Sequence, residues 1–307
     1  MIKINKLEND EIKEYVNIVC NKLYKSYEIS KKSEIPSKYK DIVDNIFQNC
    51  ESIVGSEMKI LVEIYEKLQK TYPEYLMEMS DENPTNSQKD FNNYIKDIFE
   101  YKTILKQDII YKLIEKLSLN VCPYCNRNYI STVNKKRKKR ADLDHFYPKS
   151  KFPILSLSIY NLIPSCSYCN TLKRDKVFTL TENLYPYEEG IEEIQYFDYK
   201  LNSLSEISIE LKKNINKKMD NNAYQLLLDD LYQSHTDIVK NIIENSQKYN
   251  DIYCSEINQL IGIKGKREIT TEEIKYFLGY TDKNKIKDTS LGKLKNDIID
   301  SIYKIKK

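Results

Sequence analysis

Apolar residues recur every three to four positions through the first third of the chain, the period of a helix with one buried face. The stretches EIKEYVNIVCNKLYKSY (11–27), KDIVDNIFQNCESIV (40–54), EMKILVEIYEKLQKTY (57–72) and FNNYIKDIFEYKTILKQDIIYKLIEKL (91–117) all carry it. Turn-rich segments at SKKSEIPSKY (30–39) and SDENPTNSQ (80–88) break the pattern. From about residue 119 the texture changes. NYISTV (128–133) and ADLDHF (141–146) read as short strands, and SYCNTLKRDK (167–176) reads as a short helix, in the order strand, strand, helix. Further on, IQYFDYK (194–200) and EISIELK (206–212) alternate around LNSLS and predict a hairpin. The helical period then returns in AYQLLLDDLYQSHTDIVKNIIENSQKY (223–249), TTEEIKYFLGY (270–280) and LGKLKNDIIDSIYKI (291–305), with TTEE reading as a capping-box start.

This pattern predicts a mainly α member of the α+β class. A helical region spans 1–118, a small mixed core 119–185, and a hairpin with helices 186–307. Of the 8 prolines, 5 fall between Pro123 and Pro186, which sets the core apart from its helical flanks. At 307 residues and 40% hydrophobic content, the chain has material for one large domain or two to three smaller ones. The beginning MIKINKLENDEIKEYV has no apolar leader-like run, and no stretch approaches the ~18 apolar residues of a membrane span. The expectation is a cytoplasmic protein with reduced thiols. Seven cysteines is an odd number and does not suggest a disulfide framework. Cys20, Cys50 and Cys254 sit at apolar positions of helical patterns and read as buried, inert thiols.

Net charge is only +3, but residues 119–185 hold 12 Lys/Arg against 4 Asp/Glu, a balance of +8 that leaves −5 for the rest. A basic middle between mildly acidic arms suits a polyanion. Its densest part is KKRKKR: Lys135, Lys136, Arg137, Lys138, Lys139 and Arg140. In a hairpin these would point outward, as phosphate contacts or as a solvated loop. Tyr124, Tyr129, Tyr147, Tyr160 and Tyr168 could stack on bases. With 26 tyrosines in the chain, packing is the plainer reading for each.

The core also holds the chemistry. CPYC brings Cys122 and Cys125 together around a proline, a spacing also used by thiol redox centres. A second pair, Cys166 and Cys169 in CSYC, has no place in a redox site. Two C-x-x-C knuckles can set four thiolates around one zinc ion at about 2.3 Å each. Between the knuckles lie DLDHFYPKS (142–150) and NLIP (161–164), and Asn170 follows Cys169 directly. His145 is one of only 2 histidines and stands just after two carboxylates spaced two apart, Asp142 and Asp144. On a strand those two share a face. A carboxylate (Asp144) and an amide oxygen (Asn170) are hard ligands suited to Mg²⁺ or Mn²⁺. A neutral imidazole can take a proton from water. Asn161, in the intervening loop, could hold the histidine's orientation. Together these groups point to metal-assisted phosphodiester cleavage. His235 has no such constellation and reads as structural.

In their order, C-x-x-C, D-x-D-H, N-L and C-x-x-C-N resemble the HNH, or ββα-metal, endonucleases, in the subclass with two structural zinc knuckles. The resemblance covers about residues 119–185. It implies His145 as general base, Asp144 and Asn170 as ligands of the catalytic ion, and Asn161 as the residue orienting His145. It further implies Lys173 as a basic position near the phosphate and Asp142 as a supporting acid. The form here is H-N-N, as in the HNH domains of RNA-guided CRISPR nucleases. The longer string DHFYPKS…NLIPSCSYCN is similar to HNH effectors of bacterial anti-phage systems, such as Septu and retron-associated nucleases that work with an ATPase partner. The expected ligand is nucleic acid, with DNA favoured and RNA open. The rival expectation is a zinc-ribbon nucleic-acid-binding module without catalysis.

Overall fold

The computed structural model describes residues 1–99, 101–104, 108–133, 139–203, 206–249, 251–261 and 270–305. The chain divides into two units. One comprises 4–119 and 130–188, the other 1–3, 120–129 and 189–307. As the periodicity leads one to expect, the described residues are mainly helical, with few, antiparallel strands. Among the described residues, no helix is long and apolar enough to cross a membrane.

In the unit built from 4–119 and 130–188, the helices are α1 (Asn9–Lys32), α2 (Ser37–Gln48), α3 (Cys50–Gly55), α4 (Met58–Thr71), α5 (Asn86–Phe99), α6 (Tyr101–Ile104) and α7 (Asp108–Lys116). Helix α1 shows why they form. Tyr15, Val19, Cys20, Leu23 and Tyr27 make its buried face. Glu8 and Glu11 close a capping box, acids occupy its first turn, and Lys31 and Lys32 occupy its last, which suits the helix dipole. Cys20 and Cys50 are buried as expected, with their sulfurs 3.4 Å apart. Cys254 lies in a helix, but its side chain is outside the described residues.

The same unit contains β1 (Asp142–His145), β2 (Leu162–Ser165) and α8 (Ser167–Lys173). β1 and β2 pair antiparallel, with Asp144 opposite Ile163 and His145 opposite Leu162. The loop between them carries two short 3₁₀ turns, Pro153–Leu155 and Ile159–Asn161. Helices buttress this loop. Tyr15 of α1 donates to the Leu157 carbonyl at 2.7 Å, Asn92 of α5 donates to the Lys151 carbonyl at 3.1 Å, and the Tyr65 ring of α4 meets Phe152 edge-on at 5.5 Å.

The order strand, strand, helix is present, but one strand differs from the expectation. The partner of β1 is LIPS (162–165), and NYISTV forms no strand among the described residues. Its residues make only isolated bridges, Val121 with Tyr129 and Val133 with Lys139. The reason lies in the loop around the first knuckle. The Cys122 amide donates to the Asn128 carbonyl at 2.9 Å, and Asn126 takes a left-handed φ of 49°. Closing that turn takes up the Asn128 carbonyl at the start of the segment, and Val133 at its end pairs with Lys139 instead.

The unit built from 1–3, 120–129 and 189–307 has the expected hairpin, β3 (Phe197–Leu201) antiparallel to β4 (Ile207–Leu211). Around it lie α9 (Lys217–Gln225), α10 (Leu228–Gln233), α11 (Thr236–Lys248), α12 (Asp251–Ile261), α13 (Thr271–Phe277) and α14 (Gly292–Ile305). The long helical pattern at 223–249 is interrupted at Leu227, in the left-handed region with φ 52°, and again at His235. The TTEE capping box is present at Thr270 and Glu273. Asn126 anchors the first-knuckle loop here. Its Nδ2 donates to the Ile286 carbonyl at 2.9 Å, and its Oδ1 accepts from the Lys293 amide in the first turn of α14 at 2.9 Å.

Candidate active site

Four sulfurs come together first. The Sγ atoms of Cys122, Cys125, Cys166 and Cys169 all lie within 4.8 Å of one another, and all four residues are buried. A tetrahedral zinc thiolate site has sulfurs about 3.8 Å apart, so the donor set and its spacing fit one zinc ion. Each knuckle also gives a sulfur an amide donor. Arg127 N–H donates to Cys125 Sγ and Cys169 N–H to Cys166 Sγ, both at 3.4 Å. Such bonds favour thiolate over thiol.

The second centre is a cavity of about 630 Å³, lined by Asp142, Asp144, His145, Lys149, Asn170 and Arg174 among others. β1 supplies the first three and α8 supplies Asn170, so the two carboxylates, the imidazole and the amide face one space.

His145 is buried, and its Nε2 lies 3.1 Å from the Ser156 carbonyl. A carbonyl only accepts, so Nε2 carries the proton in the neutral ring and Nδ1 is the basic nitrogen. Burial, helped by the charges of Lys149 and Lys173, brings the His145 pKa down to about 3, against a smaller upward pull from Ser156. The ring is therefore neutral at physiological pH.

Asn161 makes no surface contact at all. Its Oδ1 accepts from the Tyr147 amide at 2.7 Å, and its Nδ2 donates to the Tyr147 and Leu155 carbonyls, both at 3.0 Å. Its own carbonyl accepts from the Phe146 amide at 2.9 Å. These bonds clamp the backbone that follows His145. Phe146, packed edge-on against Tyr185 at 5.0 Å, secures the same turn.

Lys173 departs most from expectation. It is wholly buried. Its Nζ lies 3.2 Å from Asp144 Oδ2, donates to the His145 carbonyl at 2.5 Å, and sits over the Phe178 ring at 4.8 Å. Sequence reasoning set this ammonium beside a phosphate. Its charge is instead directed inward, onto Asp144. Removing the partner of a buried charge costs about 3–5 kcal/mol. Lys173→Met, with zinc retained and Mg²⁺ and Mn²⁺ left out, is therefore expected to lower the unfolding free energy by about that much, read by urea denaturation.

Asn170 Nδ2 donates to Asp142 Oδ2 at 3.4 Å, which leaves its amide oxygen as a hard donor on the cavity wall. Of the basic run, Lys135, Lys136, Arg137 and Lys138 lie outside the described residues. Lys139 bridges to Val133 through its backbone, and Arg140 Nη1 donates to the Ala141 carbonyl at 2.8 Å and lines the cavity. Among the tyrosines weighed for stacking, Tyr124, Tyr147 and Tyr160 are buried, whereas Tyr129 and Tyr168 are exposed. Sequence reasoning missed Lys149 and Arg174 as cavity residues. The signal for both was position, inside DHFYPKS and directly after Lys173.

Residues 122–176 match the HNH endonuclease family. The chain carries an HNH domain. The match runs from the first cysteine of one knuckle to just past α8. It therefore takes in both knuckles, both strands of the pair and every residue named for the cavity. No curated protein and no solved structure matches the chain. An HNH domain implies nucleic acid as the ligand, and the balance of +8 over residues 119–185 agrees with that.

Proposed function

We propose that this protein is a metal-dependent endonuclease that hydrolyses phosphodiester bonds in nucleic acid, DNA in preference to RNA. The observation that carries the reading is the state of His145. It is a neutral imidazole whose Nε2–H is committed to the Ser156 carbonyl, in the same cavity as Asp144 and Asn170. A base with its proton-accepting nitrogen defined in this way can take a proton from an attacking water.

Asp144 and Asn170 offer oxygen donors to a hard ion, Mg²⁺ or Mn²⁺. When bound, such an ion stabilises charge on the phosphate and the leaving oxygen. Asn161 acts through the backbone after His145 and keeps the ring in place. Lys173 holds Asp144 and the end of β1. Asp142 positions Asn170. The four cysteines hold zinc as a structural ion. The finer reading is an effector kept in check beside an ATPase in an anti-phage system, and its support is the resemblance of DHFYPKS…NLIPSCSYCN to such effectors.

Incubation of purified protein with plasmid DNA and with structured RNA, in Mg²⁺ and in Mn²⁺, tests the reading. Cutting that appears with the divalent ion and stops with chelator is the expected result. Cutting that survives complete chelation would overturn it. Tight binding with no cutting of any substrate in either ion would leave the zinc-ribbon binding module.

A further inference from the structure

Two cations stand side by side at the end of α8, and their surroundings are opposite. Lys173 is buried and bound to Asp144 and to the His145 carbonyl. Arg174 is exposed and lines the cavity. Among the described residues, no hydrogen bond or ion pair engages its guanidinium.

The backbone at Arg174 is unusual. Its φ is 48° and its ψ is −113°. A side chain with a Cβ rarely adopts that region, whereas glycine enters it freely. The Arg174 amide donates to the Asn170 carbonyl at 3.0 Å, so the strained turn is fixed directly to the residue on the cavity wall. Strain of this kind persists where the surroundings impose it, and it concentrates at functional sites. No packing explains the arginine here, because its side chain is exposed.

Resting on the nuclease reading, we propose that Arg174 is the residue that grips the substrate phosphate. Its planar fork matches two phosphate oxygens at once, and the left-handed turn holds it at the mouth of the cavity beside Asn170. The other cavity cations are less suited. Arg140 is engaged with the Ala141 carbonyl. Lys149 bears on His145, whose pKa it lowers. On this account the sequence motif points one residue short: the inner cation balances Asp144 and the outer one meets the polyanion.

The test uses the whole 307-residue chain with its zinc retained and without Mg²⁺ or Mn²⁺, so that the result does not depend on the catalytic metal. Fluorescein-labelled 20-mers of duplex DNA, single-stranded DNA and RNA are titrated at several salt concentrations, and melting temperatures are taken in parallel. Arg174→Gly is expected to bind about tenfold more weakly, with the salt slope reduced by about 1. Its melting temperature should equal or exceed that of the wild type, because relief of strain outweighs the added freedom of glycine in the unfolded chain. Arg174→Lys should keep the salt slope but lose part of the affinity, since the charge remains and the fork does not. Unchanged affinity and slope in Arg174→Gly would overturn the proposal. So would a clear fall in its melting temperature, which would assign the guanidinium a structural role. If the wild type binds none of the three probes, and cuts none when Mg²⁺ or Mn²⁺ is then added, the nuclease reading fails along with it. If the wild type binds, and cuts once the ion is added, while Arg174→Gly does the same, only this proposal fails.

Discussion

Cys166→Ser is expected to leave a protein that holds no stoichiometric zinc and does not complete its fold. The four sulfurs lie within 4.8 Å of one another and are buried. The zinc they fit would be bound by ligands that are brought together only in the folded chain. In such modules the free energy of binding is also free energy of folding, on the order of 10 kcal/mol. That is comparable to the whole stability of a typical domain. Cys166 also has a second task, because its sulfur caps α8 by accepting the Cys169 amide at 3.4 Å. A serine oxygen could take over that cap but would serve poorly as a fourth soft ligand. The measurement is elemental analysis beside thermal melting. Wild type should carry one zinc per chain, and Cys166→Ser should carry none and show a broad or absent transition. Cys20→Ser is the contrast. It changes an equally buried thiol outside the cluster, so zinc content should stay at one. A zinc-free wild type that melts cooperatively would end this account of the knuckles.

His145→Ala is expected to lose cleavage by about 10²–10⁴-fold, equivalent to about 3–5 kcal/mol of barrier. Zinc content and nucleic-acid affinity should stay near those of the wild type. The ring is anchored through Nε2 to the Ser156 carbonyl, whereas Asn161 and Lys173 hold the surrounding backbone through bonds of their own. The turn should therefore survive the loss of the imidazole. Asn170→Ala removes a proposed ligand instead. Raising Mn²⁺ should recover part of its activity, since weakened occupancy responds to mass action. His145→Ala should not respond, because added metal cannot replace a proton acceptor. Asn170 is a better choice for this contrast than Asp144. Removing the Asp144 carboxylate would strand the buried Lys173 ammonium and confuse a loss of stability with a loss of metal.

Asp142, Asp144, His145 and Asn170 were legible in the sequence because their chemistry is local in the chain, whereas Lys149 and Arg174, which line the same cavity, were not. Asp142, Asp144 and His145 fall on one four-residue strand, and Asn170 falls one position after a knuckle cysteine. Helix α1, the capping box at Thr270 and the hairpin β3–β4 were legible for similar reasons, each being set by spacing within a short segment. β2 was not. Its four residues are all buried and include Pro164, so it shows no alternation, and nothing local marks it as a strand. NYISTV carried the stronger local signal, yet its first carbonyl closes the knuckle turn and its last residue pairs with Lys139. The burial of Lys173 was equally hidden. A lysine in a basic helix end looks solvated until the fold brings Asp144 and the His145 carbonyl to it from 28 or more residues away in sequence.

The most direct measurement is a cleavage time course of the two histidine variants beside the wild type, on a nucleic acid that the wild type cuts. His235 accepts a hydrogen bond from Arg127 Nε at 2.8 Å and packs edge-on against Tyr232, and among the described residues it belongs to no cluster of potential metal ligands. His235→Ala should therefore cut at the wild-type rate, while His145→Ala should be slower by at least about 10²-fold. A His145→Ala protein that cuts at the full wild-type rate would contradict the HNH mechanism.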